Sequence, residues 1–227
     1  MLVYVNGDSH AAAAEAVNGC ATAGDDPQYK FLKRLPHPDN IRVSFGQLTA
    51  DNLHGELYCD AESGASNARI LRTTREYIKS NTPDLIIIGW STWEREEWLI
   101  NGEYHQISVG SKVDSDLEGP YKTWLTNIKS NQQLCESAQT DIWQLHLELE
   151  ERQIPHLFFN CFSNLQVNNQ KDWGSCYIGP YNQTDTYWDW CLAQGFLPTK
   201  YYHFRFDAHM AWANQLTKII NESIITK

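Results

Sequence analysis

Apolar residues are not spread evenly along this chain. They gather in short runs that end on small or polar residues. The run Leu2-Val3-Tyr4-Val5 stops at Asn6-Gly7-Asp8-Ser9-His10, and predicts a strand over 2–6. The alanine-rich stretch that follows predicts a helix over 9–18. Residues 19–40, punctuated by Pro27, Pro36 and Pro38, read as loop around one short helix. Ile41-Arg42-Val43-Ser44-Phe45-Gly46 can form a second strand. Residues 66–81 carry Ile70, Leu71, Tyr77 and Ile78 at helical spacing behind a Ser66 or Asn67 cap. Leu85-Ile86-Ile87-Ile88 sits in the clearest strand, 84–90. An unbroken apolar run of this length is buried on both faces, as in a central parallel strand.

Further along, residues 95–110 read as a hairpin about Asn101-Gly102. A helix over 140–154, a buried strand over 155–163, a short helix over 185–196 and a closing helix over 207–224 complete the pattern. Alternating strands and helices imply an α/β fold, a three-layer α/β/α sandwich around a parallel sheet. One domain over 1–227 is expected, with a hairpin and loop insertion at about 96–138. Ligands of such sheets sit beyond the carboxyl ends of the strands. That rule singles out the segments NGDSH, GWSTWER and NCFSN.

Composition narrows the partners. A formal charge of −10 argues against nucleic acid or an anionic membrane. The start lacks the basic and apolar regions of a signal peptide, so a cytoplasmic or particle-bound protein is expected. The six cysteines form no CxxC pair and read as reduced thiols. His37, His54, His105, His146 and His156 show no metal-ligand spacing, and no P-loop or GxGxxG occurs. The nine tryptophans and eleven tyrosines cluster at 90–98 and 173–190, as core, as the walls of a sugar cleft or as an aromatic-rich protein interface.

The chemistry turns on Ser9. At the carboxyl end of a strand it is either a helix cap, alone or with Asp8, or a nucleophile awaiting a base. Gly7-Asp8-Ser9 after an amino-terminal strand resembles block I of the SGNH (GDSL-like) hydrolases. Residues 63–74 resemble block II, residues 83–95 block III, and residues 202–216 block V with His203 and His209 six positions apart. The forms SNARI, GWSTWER and HFRFDAH are most similar to SGNH-type proteins of tailed bacteriophages of marine cyanobacteria. The resemblance implies a flavodoxin-like α/β/α sandwich and a serine esterase, with an O-acetyl group of a carbohydrate as the expected substrate, without metal or organic cofactor. It implies Ser9 as nucleophile, His203 as general base, and the Ser9 and Gly64 amides in the oxyanion hole.

Two positions depart from the family. Ser91 stands where block III has its asparagine, so Ser91, Asn67 or Asn160 would have to donate to the oxyanion. Lys200 stands where block V has its aspartate. Asp207 is the nearest acid to His203 in sequence, as its partner or as an N-cap of the closing helix, and Asp8 beside Ser9 is the other candidate; Arg95 reads as a surface-paired residue or as a buttress of the loop. Arg69, Arg72 and Arg75 read as a solvated, acid-paired face or as an anion-binding rim. The rival expectation is a binding or structural module, such as a virion component that recognises a glycan, a partner protein or a second copy of itself.

Overall fold

The computed structural model describes residues 1–128 and 130–224. Four parallel strands form the central sheet: β1 (Leu2–Gly7), β2 (Glu56–Cys59), β3 (Leu85–Trp90) and β6 (His156–Asn160), in the order β2-β1-β3-β6. A separate antiparallel hairpin is built from β4 (Glu96–Ile100) and β5 (Glu103–Ile107). The helices are α1 (Pro38–Ile41), α2 (Phe45–Asn52), α3 (Asn67–Ile78), α4 (Glu118–Thr126), α5 (Asn131–Glu151), α6 (Tyr187–Ala193) and α7 (Phe206–Ser223).

The sheet explains its own sequence. Successive side chains of a strand point to opposite faces. Val3, Val5, Leu85, Ile87, Leu157 and Phe159 therefore join one core, against Phe45 of α2 and Trp212, Leu216 and Ile220 of α7. Tyr4, Ile86, Ile88 and Phe158 join the other, against Ile70, Leu71 and Ile78 of α3 and Ile142, Leu145 and Leu149 of α5. Both faces are covered, so the α/β/α expectation holds.

Several expected elements differ. No helix forms over 9–18. Ser9–Glu15 make successive tight turns, with Ala12 N–H donating to Asp8 O and Ala14 N–H to Ser9 O, both at 2.9 Å. Ala13 and Glu15 are left-handed, at φ 53° and 60°. Ala11–Ala14 are small because this loop is buried, and packing overrides their helix preference. The strand expected at 41–46 is replaced by α1 and the start of α2. Ser44 caps α2 by accepting from Gln47 N–H at 2.9 Å. The true second strand, β2, is a four-residue edge that alternates between exposed and half-buried positions, which is a weak signal. Residues 23–25 and 27–32 form two 3₁₀ turns rather than one helix. Helix α5 begins at Asn131, nine residues before its expected start and inside the anticipated insertion, behind a Ser130–Gln133 capping box. Its Cys135 reaches the core. Among the described residues, no helix is long and apolar enough to cross a membrane.

Candidate active site

The carboxyl ends of β1 and β3 meet where Gly7 faces Gly89 in the sheet register. A Cβ on Gly7 would lie 2.7 Å from both the Gly89 carbonyl oxygen and Ala11 Cβ. Glycine is required there because the turning chain passes against the neighbouring strand. The next residues, Asp8 and Ser9, emerge at the mouth of the sheet.

Ser9 and His203 line one cleft of about 560 Å³, with Thr92, Arg95, Phe162, Ser163, Gln183, Trp188, Asp189, Tyr201 and Tyr202. Among the described residues the Ser9 hydroxyl makes no hydrogen bond within the protein and opens toward the cleft.

His203 has an acid partner, and the sequence reading missed it. His203 Nδ1 lies 2.8 Å from Glu15 Oε2. A carboxylate only accepts, so Nδ1 carries a proton directed at Glu15. Glu15 Oε2 also accepts from the Thr199 hydroxyl at 2.6 Å, and Thr199 Oγ1 accepts from His203 N–H at 3.2 Å. Arg205 Nη1 donates to the Glu15 carbonyl at 3.0 Å, and Phe206 N–H to Ala16 O at 3.1 Å. The loop carrying the histidine is thus docked on the loop carrying the serine. The left-handed turn at Glu15 aims its carboxylate at that junction, where its side chain is 5% exposed.

The expected acids do other work. Asp207 accepts from the Ala208 amide in the first turn of α7 at 3.0 Å. Asp8 is fully buried; it accepts from His10 N–H at 3.0 Å, the Ser91 hydroxyl at 3.1 Å and Arg95 Nη1 at 3.3 Å. Arg95 is thus paired with a buried acid at the loop after β1 rather than with a surface acid. Its Nη1 also donates to Ser91 Oγ at 2.8 Å. Its Nε and Nη2 donate to nothing among the described residues, while Arg95 lines the cleft.

Ser91 does not fill the place of the missing asparagine, because its hydroxyl proton is given to Asp8. Asn67 clamps the loop after β3: Nδ2 donates to Ser91 O at 3.1 Å, and Oδ1 accepts from Ser91 N–H at 2.8 Å. Asn160 donates to Pro180 O at 3.1 Å and accepts from the Tyr177 hydroxyl. Two amides remain. The N–H groups of Ser9 and Gly64 find no acceptor among the described residues. Gly64 (φ 78°) turns the loop after β2, which Glu62 N–H ties to Gly7 O at 3.1 Å.

Two other histidines are held neutral. Burial drives His209 down to about 3, and its Nδ1 accepts from Phe45 N–H at 3.2 Å, linking α7 to α2. Burial likewise lowers His10 to about 4. Its ring packs on Phe162, with centroids 4.5 Å apart, and lies 5.8 Å from the ring of His203.

The three arginines of α3 form no anion rim. Arg69 pairs with Glu62 and Asp60, Arg72 with Glu97 and Glu76, and Arg75 with Glu148. Most of the aromatic clusters expected as cleft walls are core: Trp90, Trp93, Trp173, Tyr177 and Tyr187 are buried. Trp188 lines the cleft, joined by Phe162, Tyr201 and Tyr202.

No protein-family model matches the chain, and no curated protein matches it in sequence. Solved structures do share its fold. A protein assigned to the G-D-S-L lipolytic family, from Desulfitobacterium hafniense DCB-2, superposes with a TM-score of 0.50 at 9% identity, covering 96% of this chain and 98% of that one. An acetyl xylan esterase (Est2A) from the rumen bacterium Butyrivibrio proteoclasticus gives 0.50 at 11% identity, over 97% and 63%. A carbohydrate esterase, whose active site is described as having divergent catalytic and non-catalytic binding functions, gives 0.52 at 13% identity, over 98% and 68%. The chain thus spans less than two thirds of the length of the acetyl xylan esterase. Its fold, a central parallel sheet flanked by helices, is that of these SGNH-type neighbours.

Proposed function

We propose that this protein is an SGNH-type serine esterase running on a Ser9–His203–Glu15 triad, within a single domain. The observation that carries the reading is the His203–Glu15 pair, fixed at the cleft into which Ser9 opens. In this mechanism Ser9 Oγ attacks the ester carbonyl while His203 Nε2 takes the hydroxyl proton. Glu15 holds the imidazole in the required tautomer and stabilises its protonated form. The tetrahedral oxyanion is received by the unpaired amides of Ser9 and Gly64. The free Nε and Nη2 edge of Arg95 supplies the charge that a family asparagine would otherwise assist. His203 then returns the proton to the departing alkoxide, leaving an acyl-Ser9 ester. A water activated by His203 hydrolyses that ester and restores the enzyme.

The substrate class we assign is an O-acetylated carbohydrate. Trp188, Tyr201 and Tyr202 give flat apolar surfaces for sugar rings, and Gln183 and Asp189 give hydrogen-bonding groups beside them. Two of the structural neighbours described above act on carbohydrate esters. The test is acetate release from acetylated xylo-oligosaccharides. The wild-type chain is expected to release acetate, and Ser9→Ala to lose on the order of 10³-fold or more. Equal release by Ser9→Ala would refute the reading.

A second reading is favoured by one observation: Ser9 Oγ and His203 make no hydrogen bond in this structure. On that reading the cleft binds a glycan without turning it over, as a virion component resembling the phage proteins would. Glycan binding unchanged by Ser9→Ala, with no acetate release by either form, is its signature.

A further inference from the structure

We propose that His146, Glu150, His156 and Cys176 form a structural zinc site at the end of the sheet opposite the cleft. Helix α5 places His146 and Glu150 one turn apart. His156 opens β6 at its amino end, whereas the cleft lies beyond the carboxyl ends. Cys176 sits in the segment that covers the edge of β6, where Phe158 N–H donates to Cys176 O at 2.8 Å. One donor atom from each of the four side chains lies within 4.8 Å of all the others. His146 Nδ1 and His156 Nε2 are 2.8 Å apart, and Cys176 Sγ lies 3.8 Å from Glu150 Oε1. Tetrahedral zinc, with bonds of about 2.0–2.3 Å, needs donors roughly 3.3–3.8 Å apart. Small shifts of these side chains reach that geometry.

The hydrogen bonding around the site is also what a zinc ligand requires. His156 Nδ1 lies 2.9 Å from Ile154 O, and a carbonyl only accepts. The Nδ1 proton is thereby fixed and the Nε2 lone pair faces the cluster, the outer-partner arrangement common to metal-bound histidines. His146 would carry its proton on Nε2 and turn Nδ1 to the ion. Cys176 would release its thiol proton to solvent on binding. Thiolate and carboxylate together would then balance the charge of the ion. Two imidazoles, a thiolate and a carboxylate are a donor set of zinc character. A cleft of about 420 Å³, bordered by Glu150, Gln153, His156, Ser175 and Cys176, provides an entry path.

Spacing along the sequence could not reveal this site, because its ligands come from a helix, a strand and a loop. The other cluster of metal-competent groups, Cys20, Asp26 and His37, has both ring nitrogens of His37 engaged. Nδ1 meets Asn18 and Asp39, and Nε2 meets Asp26. It serves as the control.

The experiment uses the full chain, stripped with a chelator and titrated with Zn²⁺, then with Co²⁺ as a spectroscopic probe. We expect one Zn²⁺ per chain, a raised Tm, and a cobalt spectrum with a thiolate charge-transfer band. Cys176→Ser should abolish that band, and Cys176→Ser and His146→Asn should each weaken Zn²⁺ binding by about a hundredfold or more. Cys20→Ala should change nothing. Cys176→Ser touches only a half-buried thiol, so it keeps the test decisive if a histidine variant does not fold. No stoichiometric Zn²⁺ binding, binding unaltered by Cys176→Ser, binding lost in Cys20→Ala, or stoichiometric uptake of copper but not zinc would each overturn the proposal. None of these readings depends on esterase activity.

Discussion

Glu15 is the residue on which the proposed chemistry rests. It is the only acid in the run from Ala11 to Gly24, embedded among alanines where a charge has no packing reason to be. Replacing it by glutamine keeps the shape but lets the amide fix the wrong tautomer of His203. We expect Glu15→Gln to lower kcat by roughly 10²–10⁴ with little change in KM, measured on a chromogenic acetate ester. An unchanged kcat would remove Glu15 from the triad. Arg95 has a double role in the proposed mechanism, since its Nη1 pairs with the buried Asp8 and the residue also lines the cleft. Arg95→Gln should therefore lower both activity and stability, the latter by about 3 kcal/mol in urea unfolding, because it leaves a buried carboxylate without its cation. The neutral histidines set the acid limit. His10 and His209 have native values of about 4 and 3, below the ordinary 6.5, so between those limits the unfolded chain binds more protons than the native one. Their contribution is complete above about pH 6.5 and is lost as pH falls through the native values. The urea midpoint should drop from pH 7 toward pH 4, and His209→Gln should flatten that slope. A midpoint constant over this range would contradict the assignment.

At the scale of elements, the junction of β1 and β3 is the least tolerant place. Gly7→Ala should cost about 2–3 kcal/mol, since the added methyl meets the Gly89 carbonyl and Ala11 at once. The hairpin β4–β5 is fixed to α3 by a two-pronged pair, with Arg72 Nε and Nη2 each 2.8 Å from Glu97. Tyr104 lies under the guanidinium, with 3.8 Å to its ring centroid. Elements with a local signal were legible in the sequence: β1 and β3 from their apolar runs, the hairpin from its Asn101-Gly102 turn and α3 from its helical spacing, with α7 closing the chain where it was expected. Elements defined by packing were not. The alanine run spells helix by propensity, yet it folds as buried turns because close packing of its small side chains overrides that propensity, and the turn carries Glu15 to His203. Edge strand β2 has too few buried positions to announce itself.

For the whole molecule, the three-layer architecture follows from burying both faces of apolar strands, and that much the chain states openly. Ser9 and His203 could be matched to family motifs because each lies in a local pattern. The acid beside His203 could not be, because Glu15 lies on the serine loop, far in sequence from the histidine, while Lys200 stands where the resemblance places an aspartate. The oxyanion side shows the same separation. Ser91 stands at the position of the asparagine in the resemblance but gives its proton to Asp8, and only the three-dimensional arrangement brings Arg95 to the cleft beside Ser9. The central claim is that these parts activate Ser9. Fluorophosphonate labelling tests it without knowledge of the substrate, read by intact mass and peptide mapping on the wild-type chain, Ser9→Ala, His203→Ala and Glu15→Gln. The account predicts a single adduct on Ser9, absent from the first two variants and slowed in the third. A folded protein that takes no adduct, or one that is labelled as fast after Ser9→Ala, would contradict it.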